Sequence, residues 1–276
     1  MRGFLARASA IWRILILLVV LLCAWLPFAL PIYRSPGDPN LQSIAAMGLL
    51  YLQFLLLAYS WTKWIDRIPH PANHYGVRWS QANQQQFAAG LCIGIAGLLI
   101  LFTVEELCGW IAWQPSSLPL AQLLLEGSLV AFGIGLAEEL FFRGWLLSEL
   151  RRNYSPRNAA IISATVFAIL HFIKPLSEIL RTWVQFPGLV ILGLTLAWGR
   201  YATGGRLGLS IGLHTGLVGT FYIINVGNLI QYTQQVPTWI TGIDRNPLAG
   251  IAGLVVLGAI AIWLQQCSSR LVKNNG

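Results

Sequence analysis

The chain has 276 residues, of which 56% are hydrophobic and only 10% charged, and its mean hydropathy is +0.63. That composition excludes an ordinary water-soluble domain and points to a single membrane-embedded domain over 1–276, where length alone would suggest about two domains. The net charge of +8 does not imply a nucleic-acid partner, because the basic residues form no patch interleaved with aromatics.

Apolar runs able to cross about 30 Å of hydrocarbon, which takes roughly 20 helical residues, recur along the sequence. They predict an all-α, polytopic transmembrane helical bundle of about eight spans, at 14–32, 42–62, 87–104, 120–148, 157–173, 186–202, 207–226 and 247–266. The first run, ILILLVVLLCAWLPFALPI, follows Arg2, Arg7 and Arg13 and resembles a signal peptide. It exceeds a signal core of about 7–15 residues and lacks a small-residue cleavage site, so it reads as a retained helix. Cys23, Cys92, Cys108 and Cys267 are scattered, which suggests neither a disulfide framework nor a thiolate metal site. The polar interval 63–86 carries helix-breaking Pro69 and Pro71, with Trp64 and Trp79 suited to the lipid interface. Its His70 and His74 have the spacing of a helical metal pair, but Pro71 interrupts them and a loop is the better reading. The third span runs out at Glu105 and Glu106, where solvation at an outer helix end accounts for the acidic pair. Glu126, near the outer start of the fourth span, reads as interfacial. Two further polar intervals, 174–186 and 227–246, follow, and the first has the makings of a short amphipathic piece along the outer surface.

Charge placement orients the bundle with its N-terminus inside. The inner segments then hold Arg2, Arg7, Arg13, Lys63, Arg67, Arg78, Arg151, Arg152, Arg157, Arg200, Arg206, Arg270 and Lys273. The outer ones hold only Arg34, Lys174, Arg181 and Arg245, a strong positive-inside asymmetry. The expected location is an integral, multi-pass protein of a bacterial-type cell membrane, with the lipid bilayer as its surroundings.

The fourth span contains AEELFFRGWLL, with Glu138, Glu139 and Arg143 inside an apolar stretch. An ionised side chain at a helix centre costs on the order of 2.5–3.5 kcal/mol on insertion scales, so these three need partners or a use. On a helix i and i+4 share a face, which pairs Glu139 with Arg143 and turns Glu138 elsewhere as the free carboxylate. The histidines predicted within spans are His171 and His214. Counting about 1.5 Å of rise per residue from the nearest inner arginine puts Glu138 and His171 at about 20 and 21 Å depth and His214 at about 12 Å. Gly208, Gly212 and Gly216 form a small-residue stripe. His214 lies about 200° round that helix from the stripe's contact, facing whatever is opposite. Phe167 sits one turn before His171 and can fix its ring by packing.

In order along the chain, EELFFR (Glu138, Glu139, Arg143), FAILH (Phe167, His171) and His214 resemble the EExxxR, FxxxH and HxxxN motifs of the CPBP intramembrane proteases. That group includes CAAX prenyl endopeptidases and bacteriocin-processing or immunity proteins of the Abi type. The resemblance covers about 120–226, with 1–119 and 227–276 as additional membrane helices and loops. It implies an intramembrane endopeptidase that hydrolyses a peptide bond of a membrane-associated peptide or protein with activated water. Glu138 would be the base assisted by His171, Glu139 and Arg143 would structure the site, and His214 would stabilise the oxyanion. Val218 stands where the family has Asn and offers no donor, so the oxyanion site is either thinner or completed by Ser210 or Thr215. One Glu and two His also suit Zn2+ with an open water position. Glu138, His171 and His214 would be the ligands if zinc is used, and a metal-free glutamate-activated water is the other reading. Two non-protease readings stay beside these: an immunity or scaffolding protein of the same architecture without turnover, which Val218 favours, and a proton-coupled transporter, for which two related halves would be expected and none is visible. Oligomeric state is not legible.

Overall fold

A computed structural model describes the backbone of residues 2–274 and the side chains of 5–270, so the side chains of Arg2 and Lys273, assigned above to the inner face, lie outside the described residues. The chain is an all-α bundle. Its helices are α1 (Ala10–Arg34), α2 (Pro39–Ser60), α3 (Gln81–Leu107), α4 (Leu120–Glu138), α5 (Pro156–Leu170), α6 (Phe186–Ala202), α7 (Gly208–Val226) and α8 (Ile251–Asn274). A small antiparallel ribbon, unforeseen in the sequence, joins β1 (Ile111–Trp113) to β2 (Ile230–Tyr232) at the outer end.

Seven stretches among the described residues are long and apolar enough to cross a membrane, which makes the chain an integral, multi-pass membrane protein. The eighth expected span, 157–173, is shorter than predicted: α5 has 15 residues, about 22 Å of rise. Lys174 and Pro175 follow a turn at His171–Phe172, and proline cannot continue a helix ladder. The sequence also hid helix at 81–86, where Ser80 caps α3 by accepting from the Asn83 N–H at 3.3 Å, so that Gln84–Gln86 are helical rather than loop. The segment Leu176–Thr182 is helical, with Leu176 and Leu180 exposed as an interfacial piece requires, and a single turn at Trp183–Gln185 joins it to α6.

Loops assigned to the same side of the membrane do meet. At the inner end, buried Arg13 binds Glu149 at 2.6 Å and Asp66 at 2.7 Å and lies over the Trp61 ring. The Leu207 N–H donates to the Gly76 carbonyl there as well. At the outer end Arg181 pairs with Asp244, and the Gln114 N–H reaches the Leu229 carbonyl. Arg13 thus has a second role beyond topology, because two carboxylates hold its guanidinium and tie α1 to the end of the fourth span.

The closest helix crossing is α3 on α7. Side chains are absent where the backbones touch: a Cβ at Gly216 would lie 2.5 Å from the Leu91 carbonyl, one at Gly94 2.5 Å from the Leu213 carbonyl, and one at Gly212 inside the Phe87 carbonyl. The glycine stripe therefore fixes the rotation of α7 and turns His214 away from α3, toward α4. Gly212→Leu is expected to force the helices apart and lower the thermal midpoint in detergent by several degrees or prevent folding, whereas Gly133→Leu, with nothing within 4 Å of its would-be Cβ, should leave the midpoint unchanged.

Candidate active site

Beyond Glu138 the helix widens. Residues Glu139–Leu146 form a π-helical stretch before the α spacing resumes at Leu147–Leu150. Such stretches insert an extra residue into a turn and recur at functional sites. Here the widening lets two consecutive glutamates approach one histidine. His214 Nδ1 lies 2.9 Å from Glu139 Oε1, and its Nε2 lies 3.8 Å from Glu138 Oε2.

The two carboxylates differ sharply. Glu139 is 0% exposed and its Oε1 accepts from Arg143 at 2.9 Å as well as from His214. Arg143, also 0% exposed, donates onward to the Gly193 carbonyl of α6 at 3.1 Å and lies over the Phe167 ring at 4.4 Å. A planar guanidinium can bond in its plane and stack on its face at once, which an ammonium cannot. Glu138 is 29% exposed along its side chain, yet its Oε2 is buried and bonds to nothing among the described residues. The expected division into one paired and one free carboxylate is what the geometry shows.

Phe167, fully buried, is the hub: its ring centroid lies 4.4 Å from that of His171 and 6.2 Å from that of His214. His171 occupies the C-cap of α5, and its Nδ1 is 2.8 Å from the Phe167 carbonyl. A carbonyl only accepts, so Nδ1 carries the proton, which leaves Nε2 of the neutral ring as an acceptor. His171 borders the site but bonds to neither carboxylate. The structure thus gathers Glu138, Glu139, Arg143 and His214 and sets His171 beside them across Phe167.

The set Glu138, His171 and His214 does not converge as zinc ligands do. Among the described residues no three His, Cys, Asp or Glu side chains are placed to hold a metal ion. Both Nδ1 atoms are spent on protein acceptors, and among the described residues the exposed His171 makes no hydrogen bond to Glu138. Of the proposed substitutes for the missing Asn, Ser210 is committed to the Leu196 carbonyl at 2.8 Å. Thr215 keeps a buried hydroxyl without a hydrogen-bond partner among the described residues, beside Gly135 of α4, where a Cβ would come 2.5 Å from it. Val218 faces an apolar cavity.

Arg200 is the residue that sequence reasoning missed. Counted above as an inner topology charge, it is buried and donates to the carbonyls of Arg143 and Gly144, the latter at 3.2 Å, and to Ser148 Oγ at 3.0 Å. A ladder passing from i+5 back to i+4 spacing cannot give every carbonyl a helical donor, and Arg200 supplies donors there. The available signal was its place inside an apolar helix, in the last turn ahead of the Gly204–Gly205 turn.

The decoys sort themselves by burial. Glu106 accepts from Trp113 Nε1 at 2.9 Å at the surface, as solvation predicts. Glu105 departs from that expectation, being fully buried with neither oxygen bonded among the described residues. His70 caps and His74 ends the Pro71–His74 turn, and burial together with nearby Arg200 holds His74 below the ordinary imidazole range.

No curated protein and no solved structure matches the chain. A family model, described as type II CAAX prenyl endopeptidase Rce1-like, matches residues 119–219, from the start of α4 to just beyond His214, and thus spans every residue of the cluster. Over that segment the chain is similar to the type II CAAX prenyl endopeptidases of the membrane.

Proposed function

We propose that the chain is an intramembrane endopeptidase that hydrolyses a peptide bond in a membrane-associated peptide or protein, with Glu138 activating the attacking water. The observation that carries this reading is the gap between Glu138 Oε2 and His214 Nε2, 3.8 Å wide. It is too long for a direct hydrogen bond and fits a water held by both groups. Glu139 and Arg143, bonded to one another through Oε1 and Nη1 and onward to His214 and to the Gly193 carbonyl, hold the frame.

In this scheme Glu138 takes a proton from water as its oxygen bonds to the scissile carbonyl carbon. His214 is anchored through Nδ1 on Glu139 and, carrying a proton on Nε2, donates to the oxygen on which negative charge develops. When the tetrahedral species collapses the C–N bond breaks, and the proton held by Glu138 passes to the leaving amine. His171, whose Nδ1 is held by the Phe167 carbonyl, leaves Nε2 to orient the incoming water.

The test is release of a C-terminal fragment from a prenylated CAAX reporter peptide by the protein in proteoliposomes. Cleavage is expected, and it should persist in a zinc chelator because the donors do not converge on a metal. Loss of all cleavage on chelation, with recovery on adding zinc, would refute the metal-free form. A second reading, an immunity or scaffolding protein without turnover, rests on Val218. Under it the reporter stays intact, and Val218→Asn does not bring cleavage about.

A further inference from the structure

A cavity of about 150 Å3 lies one turn beyond the catalytic layer, between α3, α6, α7 and α8. Gly97, Leu192, Val218, Val256 and Ile260 supply its walls, and Asn246 stands among the residues that close its outer end. We propose that it binds one acyl chain of a bilayer phospholipid, which enters between α3 and α8 with its ester group beside Asn246.

Three observations lead there. First, the cavity cannot hold water well. A buried water needs about two to four polar partners, and the one polar side chain here, Asn246, already accepts from the Leu248 N–H at 3.0 Å through Oδ1. Left empty, the lining would lose its dispersion contacts on one side.

Second, the surrounding medium is hydrocarbon. Ile100 and Val104 of α3 and Ile251 and Val255 of α8 point outward and are exposed on the same two helices. α8 packs chiefly on α6 and only lightly on α3. At Gly97 the seam is closed by the far end of a flexible side chain, Ile260 Cδ1, which would lie 3.1 Å from a Cβ placed there.

Third, size and polarity match one end of a lipid chain. An apolar space of this volume takes about six carbons, as shown by an engineered cavity of similar size that binds benzene. Asn246 Nδ2 bonds to nothing among the described residues and can donate to an ester carbonyl. The chain would buttress Leu192 and Val218. Leu192 precedes Gly193, whose carbonyl holds Arg143, and Val218 lies one turn after His214.

The proposal is tested without reference to proteolysis, so its failure is separate from failure of the functional reading. The full chain is placed in nanodiscs with a phosphatidylcholine carrying a diazirine near about the sixth carbon of one acyl chain, irradiated, and its adducts mapped. Labelling of Leu101 and Val256, which line the cavity, is expected to exceed that of their outward neighbours Ile100 and Val255 several-fold. Gly97→Leu and Val256→Phe, each verified as folded by size exclusion and helical content, should both reduce cavity labelling several-fold and spare the outward positions. Should one variant not fold, the other decides. Equal labelling of inner and outer positions, or cavity labelling that survives filling, would overturn the site. Labelling as strong by a diazirine alkane would overturn its assignment to an esterified chain.

Discussion

Glu138→Gln is expected to remove cleavage of the reporter, with kcat lower by about 10²–10⁴-fold, the usual contribution of a positioned general base. Expression, membrane insertion and thermal midpoint should stay at wild-type values. The reason for the split is visible in the bonding: Oε2 of Glu138 has no hydrogen-bond partner among the described residues, so an amide of the same shape forfeits no direct hydrogen bond and only the 3.8 Å approach to His214 Nε2. Glu139→Gln gives the opposite pattern. Glu139 is the counterion of the fully buried Arg143 and the anchor of His214. Breaking a buried pair by removing one partner's charge costs about 3–5 kcal/mol, so this variant should lose stability and activity together. Parallel melting curves and reporter rates for the two variants separate base from frame. Retained turnover in Glu138→Gln would remove that side chain from the role of base, whatever Glu139→Gln does.

What the sequence revealed of this arrangement, and what it concealed, follows from the range of the interactions involved. The i, i+4 pairing of Glu139 with Arg143 is local, so helical spacing alone exposes it, and the result tolerates the change from α to π spacing. The glycine stripe on α7 likewise announces a close crossing, and its geometry turns His214 the right way before any partner is known. The π stretch itself has no such mark, since it arises where Arg143 and Arg200 find acceptors on other segments. Depth arithmetic set His171 level with Glu138 but took α5 to run straight through 173, whereas it stops at Leu170 and leaves His171 as a cap whose proton goes to Phe167. Arg13 and Arg200 were legible as basic residues near an inner boundary, and their burial depended on Glu149, Asp66 and the π carbonyls, all far away in sequence. The burial of Glu105 was equally hidden, because the ribbon of β1 and β2 sits close to the end of α3 only in the folded chain.

Arg200→Gln should destabilise the protein and also slow it, and the two effects have one origin. Arg200 serves the carbonyls of Arg143 and Gly144, Ser148 Oγ, the His74 carbonyl at 3.3 Å and the Gly205 carbonyl at 3.3 Å. A single buried side chain thereby joins the π stretch to the end of α6, to the Gly204–Gly205 turn with its left-handed φ of 65° and 86°, and to the inner loop. Glutamine is too short and has too few donors to replace that fork, and each buried carbonyl left without one costs about 1–3 kcal/mol. Lysine supplies charge from a single point and should rescue only part of the loss. The π stretch begins at Glu139, so relaxation of its far end displaces the turn that carries both glutamates. A misplacement of about 1 Å at a reacting group lowers rate by about 10²-fold. Assayed well below its melting temperature, Arg200→Gln is therefore expected to show a reduced kcat at nearly unchanged KM, with Arg200→Lys intermediate. Arg206→Gln makes the contrast, since the Arg206 side chain donates to Gln86 Oε1 at 2.9 Å and, among the described residues, makes no hydrogen bond to the π stretch, so its rate should be close to wild type. A loss of kcat as large in Arg206→Gln as in Arg200→Gln would mean that inner-face charge, and not support of the widened turn, governs the rate.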